Sequence, residues 1–93
     1  MSACKNAIIT VVGSDKVGII AEVSALLAAH RINIADITQT VLSGNFVMMM
    51  MVSFGDADIS IDELRSLLNA TSKKMGVEIN IMAENVFSSM NRL

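Results

Sequence analysis

Tryptophan and tyrosine are absent from the sequence, and cysteine and histidine occur once each. A single cysteine excludes an internal disulfide and a cysteine-only metal site, and without His or Cys clusters a dedicated transition-metal site is not expected. No nucleophile has a recognisable base partner nearby, so the sequence does not predict an enzyme and predicts no cofactor.

Basic residues and long apolar runs are also scarce. Seven Lys and Arg residues stand against nine Asp and Glu residues, and the formal net charge is −2. Lys73-Lys74 is the only adjacent basic pair, so direct nucleic-acid binding is not expected, because phosphate neutralisation supplies most of that affinity. The longest apolar run, Phe46 to Val52, is far shorter than the roughly 18 residues of a membrane helix. Since Lys5 precedes no signal core, we expect a cytoplasmic protein.

Apolar residues are what the sequence has in excess. They make up 53% of the chain, with a mean hydropathy of +0.57, while charged residues make up only 17%, compared with about 25% in a typical soluble domain. The 93 residues suit one domain with one core. Because one small core can hardly hide this much apolar surface, we predict self-association, as a homodimer or a higher oligomer.

The first half of the chain predicts a strand, a helix and a hairpin. The β-branched run 7–12 indicates a central strand. A helix follows, with Asp15 as its candidate N-cap. Ile19, Val23, Leu26 and Leu27, together with His30, recur at helical spacing. Strand 31–42 changes the phase of its apolar residues midway, which predicts a bulge near Ala35-Asp36. Ser43-Gly44 then predicts a two-residue hairpin turn.

The second half repeats the strand and helix pattern. Strand 45–54 contains four consecutive methionines, Met48 to Met51, so both of its faces are apolar. Ser60 and Glu63 have the spacing of a helix capping box, and Gly76 suits the end of that helix. Strand 77–82 alternates cleanly, and residues 84–92 have the apolar spacing of a short C-terminal helix.

This order, β-α-β-β-α-β, predicts an α+β, ferredoxin-like sandwich. With right-handed crossovers, the four strands form an antiparallel sheet in the order 4-1-3-2, with both helices on one face. The single domain spans 1–93, with a core at about 6–82. Either the C-terminal helix or a second subunit is expected to cover the other face.

One turn has the features of a binding site. Gly13 and Gly18 have the spacing that opens a nucleotide-binding loop, but Ile19 follows where that loop needs Lys, which argues against a nucleotide. The turn still joins a strand to a helix N-terminus, where N–H groups favour a carboxylate or phosphate. Across a dimer seam, Asn33 is positioned to present its amide to such a ligand. The alternative interpretation is that Gly18 only permits tight packing of the helix on the sheet and that Asn33 only shapes a turn. The spacing alone favours neither interpretation.

Three segments resemble the ACT domain family of small regulatory modules. They are Ile8 to Gly13, then Asp15-Lys16-Val17-Gly18-Ile19-Ile20, and then Arg31-Ile32-Asn33-Ile34-Ala35-Asp36-Ile37. The family commonly shows Asp-Arg-Pro-Gly and two apolar residues in its first turn, and Ile-Asn-Ile at the start of its second strand. Thr38 to Val41 and Asn80 to Met90 are similar to the stand-alone, single-domain ACT proteins of unassigned function.

The resemblance implies a ferredoxin-like fold, side-by-side dimers joined through the second strand, and free amino acids bound at the subunit seam. Gly18 matches the turn glycine beside the ligand, and Asp15 matches the polar position before it. Asn33 matches the Asn that reaches an effector in members such as phosphoglycerate dehydrogenase. Val17 replaces the usual Pro, and the acidic Asp15 suits an α-amino group. The implied ligand-binding residues are Asp15, Lys16, Val17, Gly18, Ile19, Asn33 and Ile34.

Two functions follow as hypotheses. The first is a cytoplasmic homodimer that senses a small molecule, an amino acid by preference, and relays its occupancy to a regulated protein partner. The alternative is a ligand-free interaction module that acts as a regulator by docking on another protein, as the resemblance to the glycine-cleavage repressor suggests.

Overall fold

The computed structural model describes residues 6–14, 16–55 and 57–84. Within them, strands and helices follow the predicted order: β1 (Asn6–Gly13), α1 (Lys16–Ala29), β2 (Asn33–Leu42), β3 (Asn45–Ser53), α2 (Ile61–Met75) and β4 (Glu78–Ala83). The predicted C-terminal helix at 84–92 falls outside the described residues, apart from Glu84.

The four strands form one antiparallel sheet in the order β2-β3-β1-β4. This is the predicted order 4-1-3-2 read from the opposite edge. The strand β1 is central, as its continuous apolar run predicts, and it pairs with β3 on one side and β4 on the other. The strands β2 and β4 are the two edges of the sheet.

The main core lies between the sheet and the helices. Alternate residues of each inner strand enter it, and α1 contributes one stripe of side chains at every fourth position. Its fully buried members include Ile9, Ile19, Leu27, Met48, Met50, Leu64, Leu68, Val11, Val23 and Val52. Burial of these side chains supplies the main driving force for folding.

Three residues with positive φ explain the end of α1 and the turn of the β2–β3 hairpin. Arg31 takes a φ of 61° and closes α1, because the N–H of Ile32 donates to the carbonyl of Leu27 at 2.9 Å, in the manner of a Schellman motif. The strand β2 therefore begins at Asn33, two residues later than predicted. At the hairpin, Ser43 and Gly44 have φ values of 52° and 81°, as the predicted two-residue turn requires.

The bulge predicted in β2 is confirmed. The pairing register with β3 shifts between Ile34 and Asp36. Because one extra residue changes the side-chain alternation, Ile34 and Ile37 both lie level with residues of β3 that face the helices. Asp36 is turned to the opposite face.

The helix α2 has the ends that its sequence predicts. The Ser60 N–H donates to Glu63 Oε1 at 2.8 Å, and the Glu63 N–H donates to Ser60 Oγ at 3.1 Å, which completes the capping box. At the other end, Gly76 adopts a φ of 69° and donates its N–H to the carbonyl of Ser72.

We expect Ser60→Ala to lower the free energy of unfolding by about 1 kcal/mol, because it removes the acceptor of a backbone N–H at the start of α2. Ser66→Ala is the matched control, since Ser66 is an exposed residue inside the same helix, where Ala is the better helix former. Urea denaturation followed by circular dichroism measures both. Equal stability of Ser60→Ala and the wild type would contradict the capping role.

Candidate functional site

The residues predicted to bind a ligand lie in two groups. The first group is the turn between β1 and α1. Lys16 is the first residue of α1, Val17 is 77% exposed and Gly18 is half-buried. Ile19 is fully buried in the main core, so its side chain anchors the turn instead of facing a ligand. Asp15 lies outside the described residues.

The second group is the start of β2. Asn33 is exposed and pairs with Ser53 of β3, while Ile34 is half-buried and pairs with Val52. The Schellman end of α1 fixes where this strand begins, because Ile32 is held in the core directly before it. The amide of Asn33 is therefore presented at the outer edge of the sheet.

Within one chain the two groups lie at opposite ends of the sheet. Through β3, Asn33 is level with Asn6, at the start of β1, whereas Val41 is level with Gly13, at its end. Seven residues of strand separate these levels, which is about 23 Å. A single protomer thus does not bring Gly18 and Asn33 together around one small ligand.

Two protomers bring Gly18 of one chain near Asn33 of the other if their β2 strands pair about a two-fold axis. An antiparallel arrangement places the start of one β2 beside the end of the other. The end of β2, at Val41 and Leu42, is level with the end of β1 from which the first turn emerges. Asn33 of one protomer would then approach the partner's first turn, and the symmetric pair would contain two such sites.

Close packing accounts for Gly13, the first of the two glycines whose spacing is similar to a nucleotide-binding loop. A Cβ at Gly13 would lie 2.6 Å from Val77 Cγ1 and 2.8 Å from Ile19 Cδ1. Both distances are shorter than van der Waals contact. Gly13 therefore lets Ile19 of α1 and Val77, the residue before β4, approach β1 closely, which supports a packing role for this residue.

One polar contact could not be anticipated from local spacing. His30 Nδ1 lies 2.9 Å from Asp58 Oδ1, and the Asp58 N–H donates to the carbonyl of His30. The pair joins the end of α1 to the loop before α2. Because 28 residues separate the partners, only the tertiary structure brings them together, and the pair fixes the loop near the helix end.

The described part of the chain contains neither a cluster of metal-binding side chains nor a helix that could span a membrane. There, no group of three or more His, Cys, Asp or Glu residues is arranged to hold a metal ion. Among the same residues, the helices are too short or too polar to cross a membrane.

Comparisons with known proteins give a consistent family assignment. A family model described as the ACT domain matches residues 5–82. A UPF0237 protein of Clostridium acetobutylicum is 48% identical over 88 residues, which cover 95% of this chain and 99% of that protein. The similarity therefore extends over nearly the full length of that relative.

Solved structures agree with this assignment. An ACT domain protein from Streptococcus pneumoniae has 44% sequence identity and a TM-score of 0.79, and the match covers 91% of this chain and 96% of that chain. A structure described as a putative glycine cleavage system transcriptional repressor has 23% identity and a TM-score of 0.73, and the match covers 87% of this chain and 46% of that chain. This second likeness shows the fold alone.

We expect Gly13→Ala to destabilise the protein by about 1–3 kcal/mol, because the added methyl group overpacks the contact with Val77 and Ile19. Gly55→Ala is the matched control, since a Cβ there meets only Ser53 Oγ, at 3.8 Å. The control should be neutral or slightly stabilising. Thermal unfolding compares the two variants, and similar melting temperatures would contradict the packing role of Gly13.

Proposed function

We propose, on the premise that the chain belongs to the ACT domain family, that it is a cytoplasmic, ligand-sensing regulatory protein. It acts as a homodimer, binds a free amino acid at the seam between protomers and relays the occupancy of that site to a partner protein. The observation that carries this proposal is the exposed edge formed by β2.

The edge strand β2 is unusually open for its length. It has ten residues, and every one except Ile34 is exposed. Three of its exposed side chains are apolar: Ile37, Val41 and Leu42 are 41%, 65% and 62% exposed. A long edge with apolar residues is a template for pairing with another strand, and a second copy of β2 satisfies both the backbone groups and the side chains.

Pairing of two β2 strands also assembles the binding groups. Each seam site would combine Asp15, Lys16, Val17, Gly18 and Ile19 of one protomer with Asn33 and Ile34 of its partner. In this arrangement Ile19 holds the turn from within the core, and Gly18 lets a ligand approach the backbone without a Cβ in the way.

The chemistry of these groups suits a zwitterion. Backbone N–H groups at the start of α1, together with the helix dipole, favour a carboxylate. The carboxylate of Asp15 suits an α-amino group, and the amide of Asn33 both donates and accepts. A ligand with one carboxylate and one ammonium group on the same carbon, as in an α-amino acid, satisfies all three.

A relay follows from the shared site. Because a seam ligand contacts both protomers, its binding stabilises one arrangement of the dimer over another. The free energy of coupling to a partner protein can be no larger than the difference in that partner's binding free energy for the two arrangements.

A ligand-free interaction module is the second candidate function. The observation that favours it is the apolar face of the sheet opposite the helices, where Val12 and Met49 are 37% and 40% exposed. In this case regulation depends on docking alone, and amino acids do not change the stability of the protein.

We expect the wild type to sediment as a dimer at micromolar concentration, and Ile37→Glu/Val41→Glu to raise the dimer dissociation constant by about 100-fold or more, because like charges then meet at the seam. Ala70→Glu is the control, since Ala70 is exposed on α2. Sedimentation equilibrium measures all three proteins. A monomeric wild type would contradict pairing through β2.

We expect at least one of the twenty common amino acids to raise the melting temperature. At about 100 times its dissociation constant, a ligand adds about 2.7 kcal/mol of stability, which raises the melting temperature by more than about 10 °C in a domain of this size. Asn33→Ala should remove the shift, whereas Asn69→Ala, an exposed residue of α2, should retain it. If no amino acid stabilises the dimeric wild type, the interaction module is the better function.

A further inference from the structure

The two edges of the sheet differ in what their outward backbone groups contact. The hairpin turn at Ser43-Gly44 makes Leu42 and Asn45 a hydrogen-bonded pair. Along an antiparallel ladder, such pairs alternate with pairs that exchange no backbone hydrogen bonds, and the residues of those pairs direct their N–H and C=O groups to the other side of the strand. The registers of the ladders therefore fix which residues face outward at each edge.

The alternation continues from strand to strand. Since Asn45 bonds to β2, its neighbour Phe46 bonds to β1, opposite Gly13. The residues of β1 at odd spacings from Gly13, such as Thr10, then bond to β4, where Thr10 lies opposite Asn80. The outward residues that result are Ile37, Gln39 and Val41 on β2, and Ile79, Ile81 and Ala83 on β4. Each set offers the donors and acceptors that a further strand needs.

On β4 the middle outward residue is bonded to a side chain of α2. Arg65 donates from Nη2 to the carbonyl of Ile81 at 3.3 Å, which agrees with the outward direction of this carbonyl. The other terminal nitrogen, Nη1, donates to Asp62 Oδ1 at 2.6 Å. Because Asp62 lies one turn earlier on the same helix, its carboxylate holds the guanidinium in place. Arg65 therefore lies across the outer edge of β4, which is only six residues long.

On β2 the corresponding contact lies at the bulge and not in the middle of the strand. The N–H of Ile37 donates to Asp36 Oδ1 at 2.9 Å, so the carboxylate occupies the first outward group after the bulge. Gln39 and Val41 follow in a regular part of the ladder, and both are exposed. The longer edge is thus modified near its start, whereas the shorter edge is modified at its centre.

We infer that Arg65 closes the β4 edge to strand addition, so that each chain has one pairing edge. A strand added to β4 needs both backbone groups of Ile81, because Ile81 lies between the other two outward residues. The guanidinium bonded to its carbonyl occupies that position. Charged side chains protect the sheet edges of many proteins in this way. The partner that Arg65 excludes is a second copy of this chain that pairs β4 with β4.

The size of the assembly follows from this closure, and this step rests on the proposed function. A dimer paired through β2 has one β4 edge at each end of its joined sheet. If β4 also paired with β4, the contact would repeat without closure and produce filaments. With Arg65 on the Ile81 carbonyl, assembly stops at two chains.

The first test is Arg65→Met in the full chain, because methionine keeps an unbranched stem and a similar helix propensity but cannot donate to the Ile81 carbonyl. Sedimentation equilibrium should give a larger average mass than that of the wild type, rising with protein concentration. Arg65→Ala should do the same without adding a long apolar side chain. Lys74→Met is the matched control, since Lys74 is another cation of α2 and its partner is Glu22 of α1, at 3.4 Å. Folded Arg65 variants with the wild-type mass would overturn the inference.

Hydrogen exchange locates the new contact. In Arg65→Met, the N–H groups of Ile79 and Ile81 should exchange about tenfold or more slowly as the protein concentration rises, because they enter a ladder. The N–H of Asn80 already faces β1 and should not change. Concentration-independent exchange at Ile79 and Ile81 in the variant would overturn the inference, and so would concentration-dependent protection of these two groups in the wild type.

The same substitution in the Ile37→Glu/Val41→Glu background separates this inference from the proposed function. With pairing through β2 removed, Arg65→Met should convert a monomer into a dimer and not into larger species. If the wild type is itself a monomer, pairing through β2 is wrong, but Arg65→Met should still produce a dimer. A background protein that stays monomeric after Arg65→Met would overturn the inference about Arg65, whatever the state of the wild type.

Discussion

Burial of Met48 and Met50 between β3 and the helices is the interaction on which the rest of the structure depends. Both are completely buried, and because side chains alternate along a strand, Met49 and Met51 lie on the face of the sheet opposite the helices. A slip of one residue would exchange the two pairs. The register of β3 also positions its neighbours: Ile8 opposite Met51 on one side, and Asn33 opposite Ser53 on the other.

The same antiparallel register separates the two halves of the proposed ligand site. The helix α1 starts at the end of β1 and returns over the sheet, so the chain enters β2 at the far end from Gly18. No adjustment of side chains closes a gap of about 23 Å. A site that needs both Gly18 and Asn33 therefore needs two protomers. In the proposed dimer, the exposed edge of β2 supplies the pairing surface, and a ligand at the seam contacts both protomers.

Much of the fold could be predicted from local patterns. The capping box at Ser60 and Glu63, the turn at Ser43-Gly44 and the end of α2 at Gly76 each depend on residues close in sequence, and all are confirmed. The end of α1 could not be predicted from the sequence in the same way. The residue that adopts the left-handed conformation there is Arg31, whereas this conformation is usually predicted from a glycine. The strand β2 consequently begins at Asn33. The contact of His30 with Asp58 had no local signal at all.

The amino-acid sequence alone determined which segments are strands and helices, the order of the strands in the sheet and the apolar character of both faces of β3. These features follow from side-chain periodicity and turn chemistry. Only the tertiary structure decided that Ile19 belongs to the core, that Gly13 is required by its contact with Val77, and that Gly18 and Asn33 lie at opposite ends of one protomer. These facts depend on distances between residues far apart in the chain, which periodicity does not encode.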